Sequence, residues 1–256
     1  MAIKAVFFDF DDTLVLTKQA DEKAFLQVRE LARRALPEVD ALALVEDFKT
    51  RFTALPWDPS NKVGVDDWRA GLWLQALQDQ GQERVEGGQQ LSQRLYTCFK
   101  STRLQHIRLE HGVEELVAWL QHKCIGMVVI TNGHPEVQRG KLAAVQMERH
   151  IPHILVGGEE ILQGRPEKPA ASIFLRACGL VGCQPHEAWH IGDNLSSDIR
   201  GASGAGLAGA VWVNAAGRRV PPDFAWPPSH TVAHVSELQS ILEDVLHQDR
   251  KVPVCR

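Results

Sequence analysis

Ala5-Val6-Phe7-Phe8-Asp9-Phe10-Asp11-Asp12-Thr13-Leu14 sets an acidic triplet directly behind an apolar run. A short apolar run bounded by turn residues predicts a strand buried on both faces, as in the middle of a parallel sheet. Carboxylates two residues apart at the end of that strand send one anionic side chain into a cleft and keep a second within reach. The pairing suits a carboxylate nucleophile, an acid/base partner and a hard cation. Taken alone, it marks a solvated or calcium-binding turn more often than a reactive centre.

Three further segments change that balance. Met127-Val128-Val129-Ile130 is a second buried-strand run, and it leads into Thr131-Asn132-Gly133, whose hydroxyl and amide can hydrogen-bond phosphate oxygens. Glu167-Lys168-Pro169 supplies a cation ahead of an amphipathic helix through Ile173, Phe174 and Ala177. Trp189-His190-Ile191-Gly192-Asp193 is a third strand ending in acid, with Asp198 five residues on. Each piece has a plain reading: a turn, a solvated lysine, a helix N-terminal charge. Four such pieces in this one order are more than chance assembles.

The order Asp-x-Asp-x-Thr, strand-Thr-Asn, Lys-Pro and Gly-Asp-x4-Asp resembles the four motifs of the haloacid dehalogenase-like hydrolase superfamily, over residues 3 to about 215. Within it, Phe99-Lys100-Ser101-Thr102-Arg103-Leu104-Gln105-His106, Val211-Trp212-Val213-Asn214 and Asp67-x-Arg69-x3-Trp73 are similar to phosphatases of sugar-acid phosphates. The resemblance implies a phosphomonoesterase acting on a small-molecule phosphate ester, with a nine-carbon sugar acid as the first candidate. It implies that Asp9 is the nucleophile, forming an aspartyl-phosphate, and that Asp11 is the acid/base. It also implies Mg²⁺ held by the Asp9 carboxylate, the Asp11 backbone carbonyl and Asp193. Asp198 and Thr13 are expected behind these ligands, orienting them. Thr131, Asn132, Lys168 and the backbone at Phe10 and Asp12 are expected to bind the phosphoryl oxygens. Ala171 departs from the family pattern, in which a second proline is expected after Lys168-Pro169.

Length and composition agree with that class. A chain of 256 residues, 44% of them hydrophobic, can build one large α/β domain and a smaller one. Net charge is −4 with no Lys/Arg cluster, which argues against a nucleic-acid or membrane partner. An anionic substrate must then be met by a few local cations. Five cysteines, an odd number without a Cys-x-x-Cys pair, predict reduced thiols and a cytoplasmic protein. No apolar stretch suits a signal peptide or a membrane span. Asn194-Leu195-Ser196 matches a glycosylation triplet by accident, and Cys255 stands one place too early for a prenylation box. A monomer or weak dimer is expected.

After the first motif the texture changes. Ala24-Phe25-x2-Val28-x2-Leu31-Ala32-x2-Ala35-Leu36 repeats at helical spacing, and so do residues 42–52, 68–77 and 91–99. The spacing predicts a helical-bundle cap over 17–105, inserted into an α/β core of 1–16 and 106–256 with a Rossmann-like parallel sheet. In that core a helix over 112–120 and strands over 126–130, 153–156, 188–192 and 209–213 alternate, and all four motifs are expected at carboxyl ends of strands. A short edge strand over 230–235, a closing helix over 238–246 and frayed last residues complete the expectation. Substrate choice is expected in the insertion, because the core meets only phosphate. Arg69 and Arg103 are its candidates, since a guanidinium can grip a carboxylate bidentately, with Arg69 ahead of Arg103, and both are also readable as surface cations. The alternatives are a broad metabolite phosphatase or phosphomutase, and a non-catalytic scaffold. Dehalogenation is disfavoured because Asp11 would be superfluous there, and the scaffold because no catalytic group is missing.

Overall fold

A computed structural model of the protein describes residues 3–81 and 88–250, the last four by backbone alone. Cys255 and the last residues, expected to fray, lie outside the described residues. The chain divides into two compact units: residues up to Leu16 together with those from Arg108 onward, and Thr17–Ile107.

The first unit begins with β1 (Ala5–Phe8), every residue of which is buried, as an apolar run flanked on both sides by other strands must be. The second unit is helical: α1 (Thr17–Ala35), α2 (Ala41–Ala54), α3 (Val65–Asp79) and α4 (Gly88–His106). Asp40 opens α2 by accepting from the backbone N–H groups of Leu42 and Ala43, two donors the first helical turn cannot satisfy itself. The apolar faces of the four helices close on Phe48, Trp73 and Phe99, with Phe48 stacked on Trp73 at 3.8 Å between ring centres.

The chain then returns to the first unit through α5 (Val113–His122) and β2 (Gly126–Thr131), followed by α6 (Pro135–Ala144) and α7 (Met147–His150). β3 (Ile154–Val156), α8 (Gly157–Leu162), α9 (Ala171–Val181) and β4 (Ala188–Gly192) follow, and then α10 (Arg200–Gly204), β5 (Gly209–Val213), β6 (His230–Val232) and α11 (Leu238–Arg250). The expected edge strand is shorter than its sequence suggested, because Val235 already starts a 3₁₀ turn.

All six strands are parallel, in the order β3-β2-β1-β4-β5-β6. It is an α/β fold with a Rossmann-like sheet. Succession runs outward from β1 through β2 to β3, then jumps back to β4 on the other side of β1. The crevice above the carboxyl ends of β1 and β4 is therefore a topological switch point, where open α/β sheets place ligands. Ala5 and Phe7 face a core built with Phe174 and Ala177 of α9, while Val6 and Phe8, equally buried, point to the other face.

Candidate active site

Three strands deliver acids and hydroxyls to this crevice. Asp9 directly follows β1 and continues its ladder by donating its N–H to Ile191 O at 2.8 Å. The chain then turns sharply, with Thr13, Leu14 and Val15 N–H groups all donating to Phe10 O. Asp12 takes a positive φ of 54° in this turn, a conformation that Asp and Asn tolerate better than most residues. The turn brings the Thr13 hydroxyl to 3.4 Å from Asp9 Oδ2. Thr131 ends β2, and Asp193 follows β4.

Lys168 corrects one expectation, since it comes from the loop between α8 and α9 and not from a strand end. The Asn132 side chain clamps that loop: its amide donates to Lys168 O at 2.7 Å, and its oxygen accepts Lys168 N–H at 3.1 Å. So placed, the Lys168 ammonium lies 2.6 Å from Asp9 Oδ1 and 2.7 Å from Asp198 Oδ1.

Asp198 serves as the anchor of the cluster. Its Oδ1 accepts from Lys168 and from His190 Nε2 at 3.0 Å, and its Oδ2 accepts the Asn194 N–H at 3.0 Å. Burial works against its ionisation, yet Lys168 and the His190 hydrogen bond hold it well below the usual carboxylate range. Burial lowers His190, keeping it neutral, so Nε2 carries the hydrogen and Nδ1 is left without a partner. The loop carrying Asp198 starts with one π-helical turn, Leu195–Ile199, capped by the Asn194 side chain on the Ser196 and Ser197 N–H groups.

Burial pushes Asp9 above the usual carboxylate range, Lys168 offsets this only in part, and the neighbouring Asp198 and Asp11 add to the rise. Carboxylate oxygens of Asp9, Asp193 and Asp198 lie within 4.8 Å of one another. With all three ionised, as a bound cation would favour, their charge exceeds that of the one ammonium by the charge of a divalent cation. The all-oxygen donor set suits a hard one. Because three protein donors already occupy Asp198, it is better placed to orient the site than to bind an ion. The donor set therefore fits Mg²⁺ at Asp9 and Asp193.

Two side chains at the centre escaped the sequence reading. Lys141 and Gln138 of α6 both reach Asp11, the ammonium at 2.5 and 2.6 Å from its two oxygens and the Gln138 amide at 2.8 Å from Oδ2. Their i, i+3 spacing just after Thr131-Asn132-Gly133 was the available signal. Arg69 and Arg103 sit in the helical unit, both buried. Arg103 makes a bidentate pair with Asp21 and lies over the Phe99 ring. Arg69 donates from Nε to Pro56 O at 3.0 Å and lies over Phe52.

Comparison with known proteins places this geometry. The model of the haloacid dehalogenase-like hydrolases matches residues 3–206. The chain is 33% identical over 95% of both lengths to N-acylneuraminate-9-phosphatase of Rattus norvegicus, and 33% identical over the same shares to that of Homo sapiens. It is 26% identical to phosphoserine phosphatase of Thermus thermophilus, over 86% of this chain and 92% of the relative. Among solved structures, 2-haloacid dehalogenase from Pseudomonas syringae shares 27% identity at a TM-score of 0.65, covering 95% of this chain and 99% of the other. A magnesium-bound hydrolase of the same superfamily from Bacillus subtilis shares the fold at a TM-score of 0.68 and 21% identity, over 95% and 100% of the two chains. With four motifs gathered at one switch point and phosphatases among its full-length relatives, the chain belongs to the haloacid dehalogenase-like hydrolases, as a phosphatase of that family.

Proposed function

We propose that the substrate is a sugar-acid phosphate, N-acylneuraminate 9-phosphate in the first instance, hydrolysed to the free sugar acid and phosphate through an aspartyl-phosphate on Asp9. The observation that carries the chemistry is Asp9, its side chain 10% exposed at the switch point, with the Lys168 ammonium at 2.6 Å and Asp11 on the same turn. The observation that favours the substrate is the likeness to N-acylneuraminate-9-phosphatases over nearly the whole chain.

Asp9 attacks phosphorus, and the bond from phosphorus to the alcohol oxygen breaks as Asp11, which enters this step protonated, gives that oxygen its proton. Asp11 then takes a proton from water as the water attacks the aspartyl-phosphate, and Asp9 is regenerated with release of phosphate. Lys168 and the Thr131 hydroxyl bind the phosphoryl oxygens, with backbone N–H groups at Phe10 and Asp12 adding donors. The Asn132 side chain contributes by holding Lys168. Asp9, Asp193 and the Asp11 carbonyl would hold Mg²⁺, which supplies charge neutralisation at the phosphoryl group. Substrate selection is assigned to the helical unit acting as a cap, with Arg69 ahead of Arg103, whose guanidinium Asp21 already engages. A cytoplasmic protein fits the free thiols of Cys98, Cys124, Cys178 and Cys183; a monomer or weak dimer is proposed with it. No described helix is long and apolar enough to cross a membrane.

A second reading, a broad metabolite phosphatase, is favoured by the phosphoserine phosphatase relative. A phosphate-release screen with Mg²⁺ over sugar-acid, sugar, amino-acid and nucleotide phosphates separates the two. N-acetylneuraminate 9-phosphate is expected to give the highest kcat/KM, and a flat profile would favour the second reading. Dependence on a bisphosphate activator would indicate a mutase. Asp9→Asn is expected to abolish release while keeping the fold, because the amide preserves shape but cannot attack. A folded Asp9→Asn protein with its rate retained would end the covalent mechanism.

A further inference from the structure

Lys141 is 4% exposed, and an ammonium that deep is costly to bury unless it is paired and hydrogen-bonded. It meets both oxygens of Asp11, at 2.5 and 2.6 Å. One turn earlier on the same face of α6, Gln138 Nε2 donates to Asp11 Oδ2 at 2.8 Å and to Thr131 Oγ1 as well. An amide nitrogen has two hydrogens and nothing more to give, so Gln138 is spent on bridging these two residues. The Thr131 hydroxyl accepts from Gln138 and donates its own hydrogen to Asn132 O at 3.4 Å. Through this bridge α6 ties the carboxylate after β1 to the hydroxyl at the end of β2.

Asp11 needs such a tie. Its side chain is 29% exposed and stands on a turn, where a carboxylate otherwise samples several rotamers and turns toward water. A group that moves a proton must lie within hydrogen-bond reach of the atom that receives it, so an unheld rotamer costs rate without any change in the chemistry. We propose that Lys141, assisted by Gln138, is a positioning residue that aims the Asp11 carboxylate at the departing alcohol oxygen. This rests on the reading of Asp11 as acid/base given above. The bland alternative is an ion pair that merely staples the turn after β1 to α6.

The two roles differ in one measurable way. Proton delivery matters for a poor leaving group, such as an alkyl or sugar alcohol, and little for p-nitrophenolate, which is stable as an anion. The quantity to compare is kcat/KM, which reports only the steps up to departure of the alcohol. Wild type, Lys141→Met, Asp11→Asn and the double variant are assayed as full-length chains with Mg²⁺. The two esters are p-nitrophenyl phosphate and whichever alkyl monoester the wild type turns over fastest. Lys141→Met is expected to raise the ratio of kcat/KM on the nitrophenyl ester to that on the alkyl ester at least about tenfold, a part of the usual worth of a positioned acid. In the Asp11→Asn background the same change has nothing left to aim and should shift the ratio no further.

An equal loss on both esters, or no loss, would make Lys141 a staple and overturn the proposal. So would a full further shift in the double variant. An unchanged ratio in Asp11→Asn itself would remove the acid/base reading instead, a separable result. Should Lys141→Met fail to fold, Gln138→Met takes its place, with a smaller shift of the same ratio expected and an unchanged one overturning the proposal.

Discussion

The Lys168 ammonium holds two carboxylates, Asp9 at 2.6 Å and Asp198 at 2.7 Å, with its own side chain 1% exposed. Removing one partner of such a group leaves uncompensated charge in a medium that solvates it poorly, which typically costs about 3 to 5 kcal/mol. Lys168→Met is therefore expected to lose about that much stability in urea unfolding and to lose turnover. Mg²⁺ should restore part of the stability and none of the turnover, because the ion replaces the charge but not the phosphoryl contact. Unfolding curves with Mg²⁺ and with chelator check both halves. A midpoint unchanged from wild type without metal would mean that water reaches the cluster and screens it.

At the scale of elements, the tightest constraint is where β4 meets the loop after it. A Cβ added at Gly192 would lie 2.3 Å from Asp198 Cγ, a distance that requires the carboxylate to move. Gly192→Ala should therefore cost about 1 to 3 kcal/mol or more through overpacking, and depress kcat/KM by displacing the anchor of Lys168. Gly179 in α9 is the control, since an added Cβ there meets nothing within 4 Å. Gly179→Ala is expected to gain about 0.5 to 1 kcal/mol by relieving the helix of a flexible residue. Urea unfolding of both variants tests the pair of signs, and equal effects would contradict the packing argument.

The chain divides into two compact units, one carrying the proposed reaction groups and the other the candidate selectivity groups. If the first unit holds Mg²⁺ as proposed, chelation acts there. Activity is expected to vanish with EDTA and return with Mg²⁺ but not with Ca²⁺, which prefers more ligands at longer distances. Full activity after exhaustive chelation would rule the ion out. Arg69→Ala tests the second unit. If Arg69 grips the sugar carboxylate, kcat/KM for N-acetylneuraminate 9-phosphate should fall roughly tenfold to a hundredfold, the worth of a charged hydrogen bond, and the p-nitrophenyl ester should be spared. Burial of Arg69 over Phe52, with Nε on Pro56 O, offers the competing outcome, an equal loss on both esters from a loosened helical unit.

What the sequence by itself determined is what short-range pattern encodes. Continuous apolar runs ending in Asp9, Thr131 and Asp193 specify buried parallel strands, and the helical spacing between Ala24 and Phe99 specifies the helices, because burial and backbone periodicity act over a few residues. Tertiary structure decided the partnerships. Lys141 finds Asp11 across 130 positions, and Arg103 finds Asp21 across 82. Asn132 clamps the loop that brings Lys168 to Asp9, and the strand order that sets β1 beside β4 brings Asp198 to the same ammonium. A charged side chain carries no local mark of its partner. Its pairing is chosen when the fold removes water from around it, and the site's electrostatics follow from that choice.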